Sequence, residues 1–109
     1  MESTMKSGIK ILTDQHGDGP VVSSKDRVAV VHSCYLNRGD IVYQDRTEIM
    51  NLDDRELIAG LRYGIEGMRV GGHRRFQASP HLCYAETGVP DLVPPNALLV
   101  FDVIVNSIE

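Results

Sequence analysis

Apolar and polar positions along the chain follow strand-like spacing in several short runs and helical spacing in one. Residues 27–35, RVAVVHSCY, carry Val28, Val30 and Val31 and read as the clearest early strand. A turn over 37–40 and a return strand over 41–44 make this an antiparallel hairpin, and a further short strand is predicted over 47–52. Residues 9–13 form an earlier strand candidate, followed by the turn-rich joint GDGPVVSS over 17–24. In DDRELIAGLRYGIEGM, residues 53–68, Leu57, Ile58, Leu61, Ile65 and Met68 fall on one helical stripe, with Arg55, Arg62 and Glu66 elsewhere. Asp53 or Asp54 supplies the expected N-cap oxygen, and Glu56 puts negative charge in the first turn. After Gly71-Gly72, strands are predicted over 73–78 and 97–105. One helix packed across several strands is an α+β domain with a mostly antiparallel sheet.

Size and charge narrow the function classes. The 109 residues make one domain, 1–109, with room for a single core, and residues 1–8 are expected to be a flexible tail. A net charge of −4 argues against a nucleic-acid partner, which would need a basic face for phosphates. No apolar run approaches the ~20 residues of a membrane helix, and the N-terminus lacks a secretory h-region, so a cytoplasmic location is expected. Cys34 and Cys83 have neither metal-ligand nor C-x-x-C spacing and read as free thiols. His81 and Cys83, two apart, with His73 elsewhere, are too weak a ligand set to predict a metal. No cofactor is expected.

The most distinctive stretch is SPHLCYAETGVPDLVPPNALLVFDV, residues 79–103. It holds four of the five prolines and no Lys or Arg. Together with VVH at 30–32, LIAGL at 57–61 with Gly64 and Met68 following, and VGGHRRFQASP at 70–80, it resembles the FKBP-type peptidyl-prolyl isomerases, from about residue 26 to the C-terminus. The resemblance implies a twisted, mostly antiparallel sheet of about five strands wrapped around one short helix. It also implies a prolyl isomerase acting on proline-containing polypeptides as a folding helper. X-Pro rotation has a barrier of ~18–20 kcal/mol and takes tens to hundreds of seconds unaided. The twisted transition state loses amide resonance and is less polar than the planar amide, so a dry apolar pocket with one donor favours it.

Carried over by position, Tyr84 is the hydroxyl donor, Phe101 and Tyr43 are aromatic walls, and the Ile58 backbone N–H meets the substrate carbonyl. Leu57 forms part of the floor, and Leu61 stands where many members have Trp. Leu92 and Val93 close over the substrate, with Pro90, Pro94 and Pro95 pre-setting the loop. The hairpin departs from the family. Ser33 stands where a pocket tyrosine is usual, and Tyr35 shares its face by two-residue alternation. The family Phe-Asp pair falls on Tyr43-Gln44 by a gapless count from His32, or on Val42-Tyr43 if anchored on Gly39; Tyr43-Gln44 is preferred because it keeps an aromatic wall. Gln44 lacks the carboxylate, and Glu48 or Met50 stands near the place of another aromatic. These departures predict modest activity, with macrolides of the tacrolimus or rapamycin type as further ligands. The alternative is an FKBP-like binding module with little or no isomerase activity.

Overall fold

A computed structural model of the chain describes residues 7–109. The tail expected over residues 1–8 therefore lies outside the described residues up to position 6. At Gly8 the chain is already tied down, its carbonyl accepting the Ser79 N–H at 2.9 Å.

Five strands, β1 (Ile9–Gln15), β2 (Arg27–Leu36), β3 (Ile41–Asn51), β4 (His73–Ala78) and β5 (Leu99–Ile108), pair antiparallel in the order β1-β4-β5-β2-β3. The helix α1 (Ala59–Ile65) packs on one face. Strand periodicity sets that face: Val28, Val30, His32, Cys34 and Leu36 of β2 are buried beside Leu99, Phe101, Val103 and Val105 of β5.

The two strands expected over 41–44 and 47–52 are one continuous strand. The break between them is a bulge, in which Cys34 faces Tyr43 and His32 faces Arg46, so β3 carries one extra residue there, and a second shift follows between Cys34 and Tyr35. Asp45 adopts a left-handed φ of 51° there, and its N–H bonds the Ser33 hydroxyl oxygen at 3.0 Å. An aspartate tolerates this backbone better than most residues. The last strand likewise begins at Leu99 and runs on to Ile108, rather than covering 97–105.

The helix starts later than its acidic lead-in suggests. Asp54 does not cap it: its carboxylate accepts the Glu56 N–H at 2.9 Å and its carbonyl the Leu57 N–H at 3.1 Å, closing a separate turn. Ile58 is the N-cap, so Leu57 and Ile58 precede the helix, and of the apolar stripe only Leu61 and Ile65 lie within it. Seven residues cannot hold a helix in water by themselves, so packing does. Gly64 allows the close approach: a Cβ there would stand 2.1 Å from the Phe76 ring. Arg74, 7% exposed, braces the helix end, its guanidinium donating to the carbonyls of Gly64 (2.9 Å) and Glu66 (3.3 Å) and to Asp14 (3.1 Å).

Candidate functional site

The inward face of the sheet and the helix converge on an apolar cluster. Cys34, Phe101 and Phe76 stand in register across β2, β5 and β4, with the two phenyl centroids 5.6 Å apart. Leu61 and Val93 are buried in this cluster, and Leu57, Ile58, Tyr43, Cys83 and Tyr84 pack half-buried against it. Seven of the residues singled out in the sequence are thus brought together: Phe101, Leu61, Val93, Leu57, Ile58, Tyr43 and Tyr84. Three are not. Ser33, itself 6% exposed, pairs with Asp102 on the opposite face of the sheet, Gln44 bonds Tyr35 on that face, and Leu92 is 54% exposed.

Register explains the first two. Ser33 pairs with Asp102, which faces Arg75 on the next strand, and Asp102 accepts from Arg75 at 3.3 Å and bonds His73 at 2.5 Å. Gln44 donates to the Tyr35 hydroxyl at 3.1 Å, and the Arg75 guanidinium lies 5.1 Å from the Tyr35 ring centroid. This is a polar surface on the far side from the helix, so Tyr35 cannot stand in for an inward tyrosine. The inward residues are His32 and Cys34.

The loop after β4 begins with a short 3₁₀ turn (Pro80–Leu82) and is then held by its own backbone. Val89 and Val93 exchange two hydrogen bonds of 2.8 Å, Gly88 N–H bonds the Tyr84 carbonyl at 3.0 Å, and Asn96 N–H bonds the Ala85 carbonyl at 2.7 Å. Gly88 has φ 64°, and a Cβ there would meet the Val93 carbonyl oxygen at 2.4 Å. The small hairpin this makes turns Val93 inward and Leu92 outward, toward a groove of about 540 Å³ shared with Leu36, Arg38 and Ile41 at the tip of the first hairpin. Val93, 4% exposed, also lines that groove, so the two residues differ in burial but share one side of it.

The hairpin half is held by side chains. His32, 2% exposed, uses both ring nitrogens: Nε2–H donates to Glu48 at 2.8 Å, and Nδ1 accepts the Tyr43 O–H at 2.7 Å. This sense follows because a carboxylate accepts, leaving a neutral imidazole with Nδ1 as its acceptor. The Tyr43 ring meets His32 edge-on, with centroids 5.0 Å apart, and lies 4.0 Å below the Arg46 guanidinium.

Two donors at the edge of the cluster stay uncommitted. Among the described residues, neither the Tyr84 hydroxyl nor the Ile58 N–H has a hydrogen-bond partner, whereas the Tyr43 hydroxyl is spoken for. Burial, then Cys34 and Cys83, push the Tyr84 hydroxyl up from its ordinary value against the opposing pull of Arg46, so it keeps its proton. Burial likewise raises Tyr43, and it pushes both thiols up to about 12, which makes Cys34 and Cys83 apolar packing groups. Among the described residues no three His, Cys, Asp or Glu side chains gather as a metal would require, and no helix is long and apolar enough to cross a membrane.

A family model, FKBP-type peptidyl-prolyl cis-trans isomerase, matches residues 19–106. The chain belongs to this family. A solved FKBP-fold neighbour, the peptidyl-prolyl cis-trans isomerase of Pseudomonas syringae pv. tomato, superposes with a TM-score of 0.86 at 26% identity, over 98% of this chain and 80% of that one. AtFKBP13 shares the fold, with a TM-score of 0.86 at 22% identity and 96% of each chain covered. The 46 kDa FK506-binding nuclear protein of Spodoptera frugiperda is 30% identical over 106 residues, which are 94% of this chain and 26% of that protein. FK506-binding protein 4 of Dictyostelium discoideum is 35% identical over 102 residues, 92% of this chain and 28% of that protein. The chain thus spans under a third of the length of these two relatives.

Within this FKBP domain, sequence reading gave no site role to His32, Arg46 or Cys34, and it placed Glu48 only near a lost aromatic, without its bond to His32. Two-residue alternation from Val28 and Val30 was the available signal for His32 and Cys34. The bulge that brings Arg46 opposite His32 left no mark in the sequence.

Proposed function

We propose that the chain is a peptidyl-prolyl cis-trans isomerase domain that takes proline-containing polypeptides. One observation carries the reading: the Tyr84 hydroxyl and the Ile58 N–H, both uncommitted among the described residues, flank an apolar cluster of Tyr43, Leu61, Val93 and Phe101. A proline ring suits such a cluster by its polarity, and the donors suit the carbonyls on either side of it. Rotation about the X-Pro bond removes amide resonance, so the dry walls disfavour the planar, more polar ground state relative to the twisted one. The Ile58 N–H holds the substrate carbonyl while the prolyl side turns. No proton needs to leave the protein, which agrees with hydroxyls and thiols kept neutral by burial.

Leu61 gives an aliphatic floor, and the hairpin supplies one aromatic, Tyr43, whose hydroxyl is already bonded; both favour modest turnover. The same commitment of Tyr43 supports a second reading, a module that binds proline-bearing segments without accelerating them. Macrolides of the FK506 class, named in the relatives, are proposed ligands under either reading. Acceleration of cis-trans exchange in a proline tetrapeptide, measured beside macrolide titration, separates the two. Binding without acceleration at high protein concentration would sink the isomerase reading and keep the module.

A further inference from the structure

We infer that His32 is a positioning residue for the site: braced by Glu48, it holds the Tyr43 hydroxyl and fixes the aromatic wall, so that ligand capture responds to the charge on His32. This rests on the proline-site reading above. His32 is 2% exposed, both its ring nitrogens are engaged at 2.8 and 2.7 Å, and the Tyr43 ring is clamped between its edge and the Arg46 guanidinium. Water reaches the arrangement through the Glu48 side chain, 44% exposed, and at the half-buried Tyr43 and exposed Arg46.

A second ring proton must land on Nδ1, the atom that accepts from Tyr43. Two donors then face each other, and the Tyr43 hydroxyl has to turn its hydrogen away or move. The charged and titratable neighbours are few. From β3 come Tyr43, Arg46 and Glu48; on β2 the inward neighbour is Cys34; β5 presents apolar Val103 opposite. Arg74 of β4 lies beyond Val103 but is engaged by Gly64, Glu66 and Asp14, and Tyr84 of the loop reaches Tyr43 electrostatically. Burial, with a smaller pull from Arg46, holds the His32 pKa below its ordinary value against the opposing effect of Glu48, so the neutral, Tyr43-holding form prevails at neutral pH.

The test uses the full chain with ¹⁵N-labelled histidine, titrated from neutral pH to about pH 5, where imidazoles charge. It is run with and without saturating tetrapeptide Ala-Leu-Pro-Phe, whose Kd is measured across the same range. The expected result is a neutral His32 protonated on Nε2, a several-fold weaker Kd once it charges, and a His32 midpoint lowered by peptide, as reciprocal linkage requires. Glu48→Gln should move the His32 midpoint and the Kd profile together to lower pH, and Tyr43→Phe should remove the coupling. An unchanged Kd across the His32 midpoint, or a midpoint moved by Glu48→Gln with a stationary Kd profile, overturns the inference and leaves the site. Absence of wild-type binding to peptide or macrolide at neutral pH overturns the site reading itself.

Discussion

The two halves of the site are held in place by different bonds. The loop over residues 79–98 is fixed by backbone hydrogen bonds, prolines and positive φ at Ala85, Gly88, Asp91 and Asn96. The β2–β3 hairpin is fixed by side chains, through the Tyr43–His32–Glu48 chain and the Ser33–Asp45 bond. A segment that spends backbone groups on its own shape leaves side-chain donors unused, as with the Tyr84 hydroxyl, which has no partner among the described residues. A segment held by its side chains has already used them, and Tyr43 contributes a ring but not its hydroxyl.

The difference can be attacked from its largest consequence downward. Phe101 floors both halves and is 1% exposed, so Phe101→Ala should cost about 3–5 kcal/mol in urea unfolding and disable both together. Gly88→Ala strikes the loop half only, through φ 64° and the Val93 carbonyl, and should cost about 1–3 kcal/mol. Backbone bonds of the hairpin should keep their amide exchange protection in that variant; their loss would show that the halves are not separable.

The two tyrosines give the sharpest contrast. Tyr43→Phe leaves the His32 Nδ1 buried without a donor and should lower stability by about 1–3 kcal/mol. Tyr84→Phe should leave stability within about 0.5 kcal/mol. It should instead reduce kcat/KM roughly five- to tenfold, the worth of one net hydrogen bond of ~1 kcal/mol. Equal stability losses in the two variants would erase the distinction.

Acid tests the hairpin half alone. Because His32 is held below its ordinary pKa of 6.5, the unfolded chain takes up its proton first. Stability should therefore fall as pH drops through that value and level off below the folded pKa, a slope that His32→Asn should flatten in urea midpoints. The smallest effect is expected at Leu92, 54% exposed, where Leu92→Ser should leave stability within about 0.5 kcal/mol. A rise in KM alone there would mark it as a ligand contact on the rim.

Much of the loop half was legible because its information is local. Tyr84, the prolines and Gly88 act through the backbone of their own segment, and a loop pattern in sequence specifies that directly. The hairpin half was read less well, for a physical reason visible at Ser33. A strand turns a side chain to the opposite face with every residue, so counting from His32 placed Ser33 inward when the alternation from Val30 places His32 there. The helix boundary failed similarly: Asp54 has the right oxygen for a cap, but it closes a local turn instead. The two predicted strands over 41–44 and 47–52 merged because pairing with β2 carries the chain through the bulge.

The sequence by itself determined the antiparallel sheet with one helix, the family, and much of the apolar cluster, including Leu61, Val93 and Phe101, since hydrophobic periodicity and turn chemistry are written in near neighbours. Tertiary structure alone decided which hydroxyl is free and which is bound. That choice depends on His32, Tyr43 and Glu48 meeting across a bulged strand pair, and a bulge of one residue resets every side chain beyond it.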